Sequence, residues 1–403
     1  MTALAARFGG VRWTHPRTVG IVGILAGIGA FWLALPPLSA RTAALPILIG
    51  LLAVAAGIWA IARDERRVGW GAVAAGLLGI VFGVLATRSS EANLDKVVVW
   101  SALGAATLRY ATPLTFAAIG GLFCERSGVI NVALEGMLLT GAYFGIWAVD
   151  WSHRWYVGLL VAMLAGAGMA TIHAVWSIHL KVDQIIAGTA LNFLALGITG
   201  FLFISSYGDE GTPGDITQYS IPDVHLGFLE DVYFIGPIVA QLNLMIWLSI
   251  LLLFVTYVIV FRTPFGLRMR AVGEHPRAAD TVGISVYRTR YISVISSGAI
   301  AAMGGAYLSI GFVHSFNEGM TNGIGFIGLA ALIFGKWKPF GAWGAALLFG
   351  FSSAIADRLP TAYGNEWGTL FQSLPYVLTL VAVAGVIGRS IGPAAVGQPY
   401  VKQ

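Results

Sequence analysis

Long apolar runs alternate with short polar segments along most of the chain, from residue 19 to residue 388. A helix needs about 20 mostly apolar residues to cross the hydrocarbon core of a bilayer. Runs that meet or approach this length lie near 19–38, 43–62, 68–87, 98–121, 129–149, 156–178, 184–206, 237–261, 291–312, 321–335, 340–357 and 371–388. The pattern predicts an all-α polytopic membrane protein with about twelve transmembrane helices.

The tenth run, 321–335, is shorter than the others and is bounded by glycine. A short segment of this kind is typical of a half-helix that enters the membrane and ends inside protein, where it is shielded from lipid. The expected number of about twelve spans therefore includes segments that do not cross completely.

Charge indicates how the predicted spans are oriented. Of the 24 Lys and Arg residues, 18 lie in segments that are cytoplasmic if the N-terminus is inside, five lie in the outer segments, and Arg109 lies within a run. Cytoplasmic loops carry the excess of Lys and Arg in membrane proteins. We therefore expect both termini in the cytoplasm. The net charge of +5 needs no nucleic acid as a partner, because this bias explains it.

One basic loop on the predicted cytoplasmic side has a helix signal. Residues 262–290 read RTPFGLRMRAVGEHPRAADTVGISVYRTR. Pro276 suits a first helical turn, Arg277 to Val282 can follow as helix, and Gly283 can supply the left-handed residue that ends it. The segment is either a short helix presented to a cytoplasmic partner or a solvated basic loop that only follows the charge bias.

Four segments, in order along the chain, resemble one family of membrane proteins. They are CERSGVINVALEGMLLTGAYFG (124–145), VDQIIAGTALNFLALGITGFL (182–202), GLRMRAVGEHPRAADTVGI (266–284) and GFIGLAALIFGKWKPFGAWGAALLFG (325–350). They are similar to permease subunits of ABC importers of the branched-chain amino acid, simple-sugar and nucleoside class, and most similar to the nucleoside, or simple-sugar, branch. The resemblance divides the chain into an extension of three helices (1–96), a permease core (97–391) and a short cytoplasmic tail (392–403).

The resemblance implies a passive subunit of a larger machine. It would be completed by a second permease, an ATPase subunit that binds ATP and Mg, and an extracytoplasmic binding protein. The second permease is expected to be a different homologous chain. The cargo would be a nucleoside or simple sugar, and the location a bacterial-type inner membrane. The implied ATPase-coupling loop comprises Glu274, His275, Pro276, Arg277, Ala278, Asp280 and Gly283.

The residues agree with this division of labour. The chain has no GxxxxGK[ST] phosphate loop: Gly335 and Lys336 come nearest, with Ala330 at the leading glycine position and Trp337 in place of Ser or Thr. We therefore expect neither enzymatic activity nor a cofactor in this chain. His173 and His179 are six residues apart, on different helix faces, so we assign no metal site.

Polar side chains inside apolar runs are candidates for the translocation pathway, because burying them in lipid is costly. The candidates are Asn131, Glu135, Asn192, Asn317, Glu318 and Asn322. Asn131 and Glu135 are four residues apart, on one helical face. Each residue can instead cap a helix or bridge two helices, and the sequence leaves both interpretations open.

Two other functions are open to a polytopic membrane protein. An ion-coupled secondary transporter also uses broken helices near the middle of the membrane, but it works without a separate ATPase. A membrane-embedded enzyme is disfavoured, since no paired acids, nucleophile with a base, or metal cluster emerges from the sequence.

Overall fold

The computed structural model describes residues 15–33, 42–88, 99–208, 211–232, 235–363, 368–381 and 391–402. The predicted boundary between residues 96 and 97 lies outside these ranges, as do Arg7, Arg12, Arg41, Lys96 and Arg389 of the charge pattern. The longer helices of the first half are α1 (Pro16–Trp32), α2 (Ala44–Ala62), α3 (Arg66–Arg88), α4 (Trp100–Arg126), α5 (Leu134–Ser152), α6 (Trp155–Ala174) and α7 (Gln184–Tyr207).

The segment after α7 is irregular and contains the strands. A 3₁₀ turn (Gly214–Tyr219) leads to β1 (Asp223–His225), the short helices α8 (Gly227–Glu230) and α9 (Gly236–Val239), and β2 (Gln241–Asn243). The strands pair antiparallel, with Asp223 opposite Asn243. The side chain of Asn243 then accepts a hydrogen bond from the Met245 nitrogen at 3.1 Å, which caps the next helix.

The second half of the chain is again helical. It contains α10 (Leu244–Arg262), α11 (Pro264–Glu274), α12 (Pro276–Thr281), α13 (Val286–Ala306), α14 (Ile324–Phe334), α15 (Pro339–Tyr363), α16 (Gly368–Gln372) and α17 (Leu374–Val381). Two helices continue as π-helical segments, α6 through Val175–His179 and α13 through Tyr307–Val313.

Seven helical stretches within the described residues are long and apolar enough to cross a membrane. They are Ala44–Ala62, Arg66–Val84, Trp155–His179, Gln184–Tyr207, Leu244–Arg262, Val286–Val313 and Pro339–Pro360. Helices α4 and α5 are also long enough, but their polar residues lower the mean hydropathy. The prediction of an all-α polytopic membrane protein is confirmed, whereas the number twelve and the cytoplasmic termini stay predictions.

The chain divides into two compact units, and the first comprises Met1–Leu103 and Ser352–Arg389. Here α1, α2 and α3 pack through small residues. A Cβ atom on Gly27 would overlap the backbone of Ala75, and one on Gly79 would overlap the carbonyl oxygen of Gly27. Glycine is therefore what allows these helices to approach so closely.

The second unit comprises Gly104–Phe351 and Ser390–Gln403. Its centre is formed by α5, α6 and α13, again through small residues: a Cβ on Gly305 would overlap the Leu138 carbonyl oxygen. An aromatic cluster fills the core nearby, where Tyr143 and Phe316 have ring centroids 5.3 Å apart. All the candidate site residues lie in this second unit.

Candidate functional site

The helical path is broken between α4 and α5, at residues 127–133. The backbone N–H and C=O groups of this segment would be costly at membrane depth unless other protein groups formed hydrogen bonds with them. Two side chains from other helices do so at one residue: the Ile130 nitrogen donates to Gln184 Oε1 at 2.7 Å, and His173 Nε2 donates to the Ile130 carbonyl oxygen at 2.9 Å. His173 and Gln184 therefore hold this break in place, a role that sequence reasoning missed.

Asn131 lies inside the same break and is fully buried. Its Nδ2 donates to Ser297 Oγ on α13 at 2.9 Å and approaches the Met137 sulfur at 3.4 Å. Its Oδ1 has no hydrogen-bond partner in the described part of the chain. The amide thus bridges the break to α13, which is the second of the interpretations left open by the sequence.

Asn192 bridges α7 to the start of α5. Its Oδ1 accepts from the Gly136 nitrogen at 2.8 Å, and its Nδ2 donates to the Val132 carbonyl oxygen at 3.0 Å. Both ends of the amide therefore serve backbone groups of the unwound segment and of the turn that follows it.

Glu135, in the first turn of α5, caps a different helix. Its Oε1 accepts from the Gly323 nitrogen at 2.7 Å and its Oε2 from the Gly325 nitrogen at 2.6 Å. These amides form the N-terminus of α14, where the first N–H groups lack helical partners and a negative charge is favourable. The carboxylate thus ties α14 to α5.

Helix α14 has only 11 residues, which corresponds to about 16 Å and is too short for a complete crossing. This agrees with the half-helix predicted for the tenth run. The residues before it form successive turns, in which Asn322 and Gly323 have positive φ values of 38° and 86°.

The remaining three candidates lie in these turns and are exposed: Asn317, Glu318 and Asn322. The Glu318 carboxylate lies beside α7, since a Cβ on Gly200 would be 3.7 Å from its carboxyl carbon. The six candidates therefore separate into two groups. Asn131, Glu135 and Asn192 brace the backbone, whereas the other three offer free polar surface.

The segment predicted to couple to an ATPase forms two short helices. Thr263 caps α11, and α12 runs from Pro276 to Thr281. Gly283 follows with φ +82°, in open space. The proline start and the left-handed glycine predicted from sequence are confirmed, while the coupling role itself stays a prediction.

One face of α12 packs inward and the other is exposed. Ala279 is buried, whereas Arg277 and Ala278 are exposed, and Asp280 is half-buried. At the tip of the turn the side chain of Val282 is 74% exposed. Arg277, Ala278 and Val282 therefore form the exposed side of this segment.

A further cluster ties the end of α4 to the turn before α15. Trp337 Nε1 donates to Glu125 Oε2 at 2.5 Å, and Arg126 Nη2 donates to the Trp337 carbonyl oxygen at 2.7 Å. Its residues lie in the segments 124–145 and 325–350, but the sequence does not show that these two segments are close together.

A polar cavity of ≈320 Å³ lies between α4, the β1–β2 region and the π-helical end of α13. Its lining includes Arg109, Asp223, Asn243, Tyr307, Phe312 and His314. This volume is at the lower end for small-molecule sites. Within the described ranges, no three His, Cys, Asp or Glu side chains come together as a metal site would require.

The sequence of the chain matches a known family and several known proteins. The family described as branched-chain amino acid transport system / permease component matches residues 103–383. Guanosine ABC transporter permease protein NupQ of Bacillus subtilis is 41% identical over 332 residues, which cover 77% of this chain and 99% of that protein. Nucleoside ABC transporter permease protein NupC of Lactococcus lactis is 36% identical over 307 residues, covering 73% and 95%.

A further relative is named for a different cargo. A putative glucose ABC transporter permease protein of Haloferax volcanii is 35% identical over 253 residues, covering 63% of this chain and 76% of that protein. No solved structure was found to match the chain. The family match extends over most of the chain and includes the broken segment, α14 and the helices α11 and α12. The chain therefore belongs to the permease-component family of the branched-chain amino acid type of transport system.

Proposed function

We propose that this chain is one of two membrane permeases of an ATP-driven importer and that its cargo is a nucleoside. The structural observation that supports transport is an unwound segment, 127–133, followed by α5, whose Glu135 binds the N-terminus of the half-helix α14. Broken helices of this kind are typical of solute pathways through membranes. The cargo class rests on the guanosine and nucleoside relatives, with a simple sugar as the alternative.

The exposed turn before α14 is the surface we assign to the pathway. Asn317, Glu318 and Asn322 present amide and carboxylate groups, and α7 runs alongside at Gly200. A nucleoside is neutral and rich in hydroxyl groups, so it can be bound weakly by such groups and released again, as a pathway requires. Asn131, Glu135 and Asn192 then act indirectly, by fixing the backbone around the pathway.

The driving force comes from other subunits in this proposal. Partner ATPases bind ATP and Mg and push against α12, and the motion switches the pathway between its two sides. A second, unlike permease completes the pathway, and a binding protein delivers cargo from outside a bacterial-type inner membrane. The long polar segment after α7 is the surface we assign to the binding protein.

Transport assays in proteoliposomes test the cargo and the energy source together. The complete complex should take up labelled guanosine only when ATP is present on the side that carries the ATPase subunits. Unlabelled nucleosides should compete with this uptake, whereas glucose and leucine should not. Competition by glucose alone would favour the sugar alternative. Uptake that is driven by an ion gradient without ATP would contradict the importer and favour a secondary transporter.

The purified chain alone provides a simpler test. Because its sequence lacks a phosphate loop, it should hydrolyse no ATP and bind no nucleotide analogue measurably. ATP hydrolysis should be detected only after the ATPase subunit is added. Hydrolysis by the chain alone, after contaminating ATPases are removed, would contradict the assignment.

A further inference from the structure

The C-terminal tail, residues 391–402, lies against the helix that precedes α12. The Ala395 nitrogen donates to the Gly273 carbonyl oxygen at 2.9 Å, and the Ala394 nitrogen donates to Glu274 Oε2 at 3.1 Å. These bonds satisfy groups at the C-terminal end of α11, where carbonyl oxygens lack helical partners. The tail is therefore bonded to α11 at the point where the chain turns into α12.

The tail also supplies a hydrogen-bond acceptor to a buried cation. Arg290, in α13, is 1% exposed. Its Nε donates to the Ser127 carbonyl oxygen at 3.3 Å and its Nη1 to the Gln398 carbonyl oxygen at 3.1 Å. A buried charge needs hydrogen-bond acceptors to offset the loss of water. Here one acceptor comes from the broken segment and the other from the tail.

The side chain of Tyr400 in the tail packs against α12. Tyr400 is 5% exposed and forms a small core with Val272, Ala279 and Val286, from α11, α12 and α13. Its ring centroid lies 5.5 Å from that of Tyr287. Burial, and then the nearby Asp280 carboxylate and Tyr287, raise the pKa of Tyr400.

Two glycines let the tail approach so closely. A Cβ on Gly392 would lie 3.0 Å from the Trp337 ring. Gly397 has φ +77°, and a Cβ there would be 2.9 Å from the Ile130 side chain. The tail thus contacts the end of α11, the base of α12, the start of α13 and the broken segment 127–133.

We infer that the C-terminal tail takes part in transmitting the motion of α12 to the rest of the permease, with Tyr400 as a positioning residue for α12. The inference rests on the proposed function. Helix α12 has six residues and is joined to its neighbours by the non-helical His275 and the left-handed Gly283. The tail joins its base to α13 and to the broken segment, so a push on α12 reaches both.

The test compares coupling in the complete importer, reconstituted in proteoliposomes with ATPase, second permease and binding protein. The quantity measured is the amount of nucleoside taken up per ATP hydrolysed. Tyr400→Ala should lower this ratio by at least about fivefold, the lower end of typical coupling between sites. Tyr400→Phe keeps the ring in its core and should retain nearly the wild-type ratio. Val401→Ala is the matched control, because Val401 is adjacent but 53% exposed.

Subunit content separates positioning from folding. In Tyr400→Ala, the amount of ATPase that copurifies and the basal rate of ATP hydrolysis should stay near wild type. A wild-type ratio in Tyr400→Ala would overturn the inference, as would a loss of uptake matched by an equal loss of assembled complex. Equal losses in Tyr400→Phe and Tyr400→Ala would also overturn it. If the wild-type complex shows no ATP-driven uptake, the proposed function fails and this inference with it.

Discussion

Oε1 of Glu135 accepts a hydrogen bond from the backbone nitrogen of Gly323 at 2.7 Å, although the two residues are 188 positions apart. This contact connects the first turn of α5 to the first turn of α14. It explains why a carboxylate is present within an apolar run: the charge is compensated by the N-terminus of a half-helix.

The first prediction concerns this cap. Glu135→Ala should destabilise the protein by about 2–3 kcal/mol, the scale of a hydrogen bond to a charged group, because two helix amides lose their acceptors. Glu135→Gln keeps one acceptor oxygen and should cost less. Thermal unfolding in detergent measures both. Glu318→Ala is the control, since Glu318 is exposed, and equal melting temperatures for Glu135→Ala and Glu318→Ala would show that the cap contributes little.

The second prediction concerns helix packing in the second unit. Gly305→Ala should destabilise by about 1–3 kcal/mol, because the added Cβ would overlap the carbonyl oxygen of Leu138 on α5. Gly168→Ala, in α6, is the control. A Cβ there meets nothing within 4 Å, so the change should be neutral or stabilise by up to about 1 kcal/mol through helix propensity. The packing argument would fail if the two variants melted alike.

The third prediction concerns sidedness. A cysteine in place of Gln218 should react with an impermeant thiol reagent from outside, and one in place of Arg277 should react only after the membrane is opened. Both positions are exposed, so access depends on the side of the membrane alone. The native Cys124 is fully buried and gives little background. The opposite labelling pattern would reverse the predicted orientation.

The fourth prediction concerns the end of α12. Gly283→Val should impair ATP-driven uptake, because a β-branched residue resists φ near +82°, whereas Gly283→Asn should be tolerated better. A Cβ at this position has nothing within 4 Å, so the expected effect comes from the backbone conformation. Gly211→Val is the matched control for backbone strain: Gly211 has φ +75° and open space, but lies in the segment after α7. Thermal unfolding of both variants in detergent measures this strain, and a loss of uptake in Gly283→Val that is fully accounted for by a loss of folded protein would contradict a coupling defect.

Local features of this chain could be predicted from the sequence because their causes are local. Pro276 and Gly283 determine the start and end of α12 through their own backbone preferences. The short tenth run likewise becomes the short helix α14. In both cases the residues that determine the helix lie within it or directly beside it in the sequence.

The partners of the polar residues could not be predicted, for the opposite reason. The sequence marks Glu135, Asn131 and Asn192 as polar residues in apolar runs, but their hydrogen-bond partners are backbone groups or a serine from distant segments. A backbone amide or carbonyl group is present at nearly every position, so the sequence carries no signal for the one that is used. The same holds for the Gln398 carbonyl oxygen that receives Arg290.

Helix α14 is anchored at both ends. Glu135 of α5 holds its first turn, and the turn after its last residue is held by Arg126 at the end of α4, through the Trp337 carbonyl oxygen. A helix that is held at both ends cannot pivot about one end. In the proposed transport cycle we therefore expect α4, α5 and α14 to move together as one block, with the bending confined to the connections outside it.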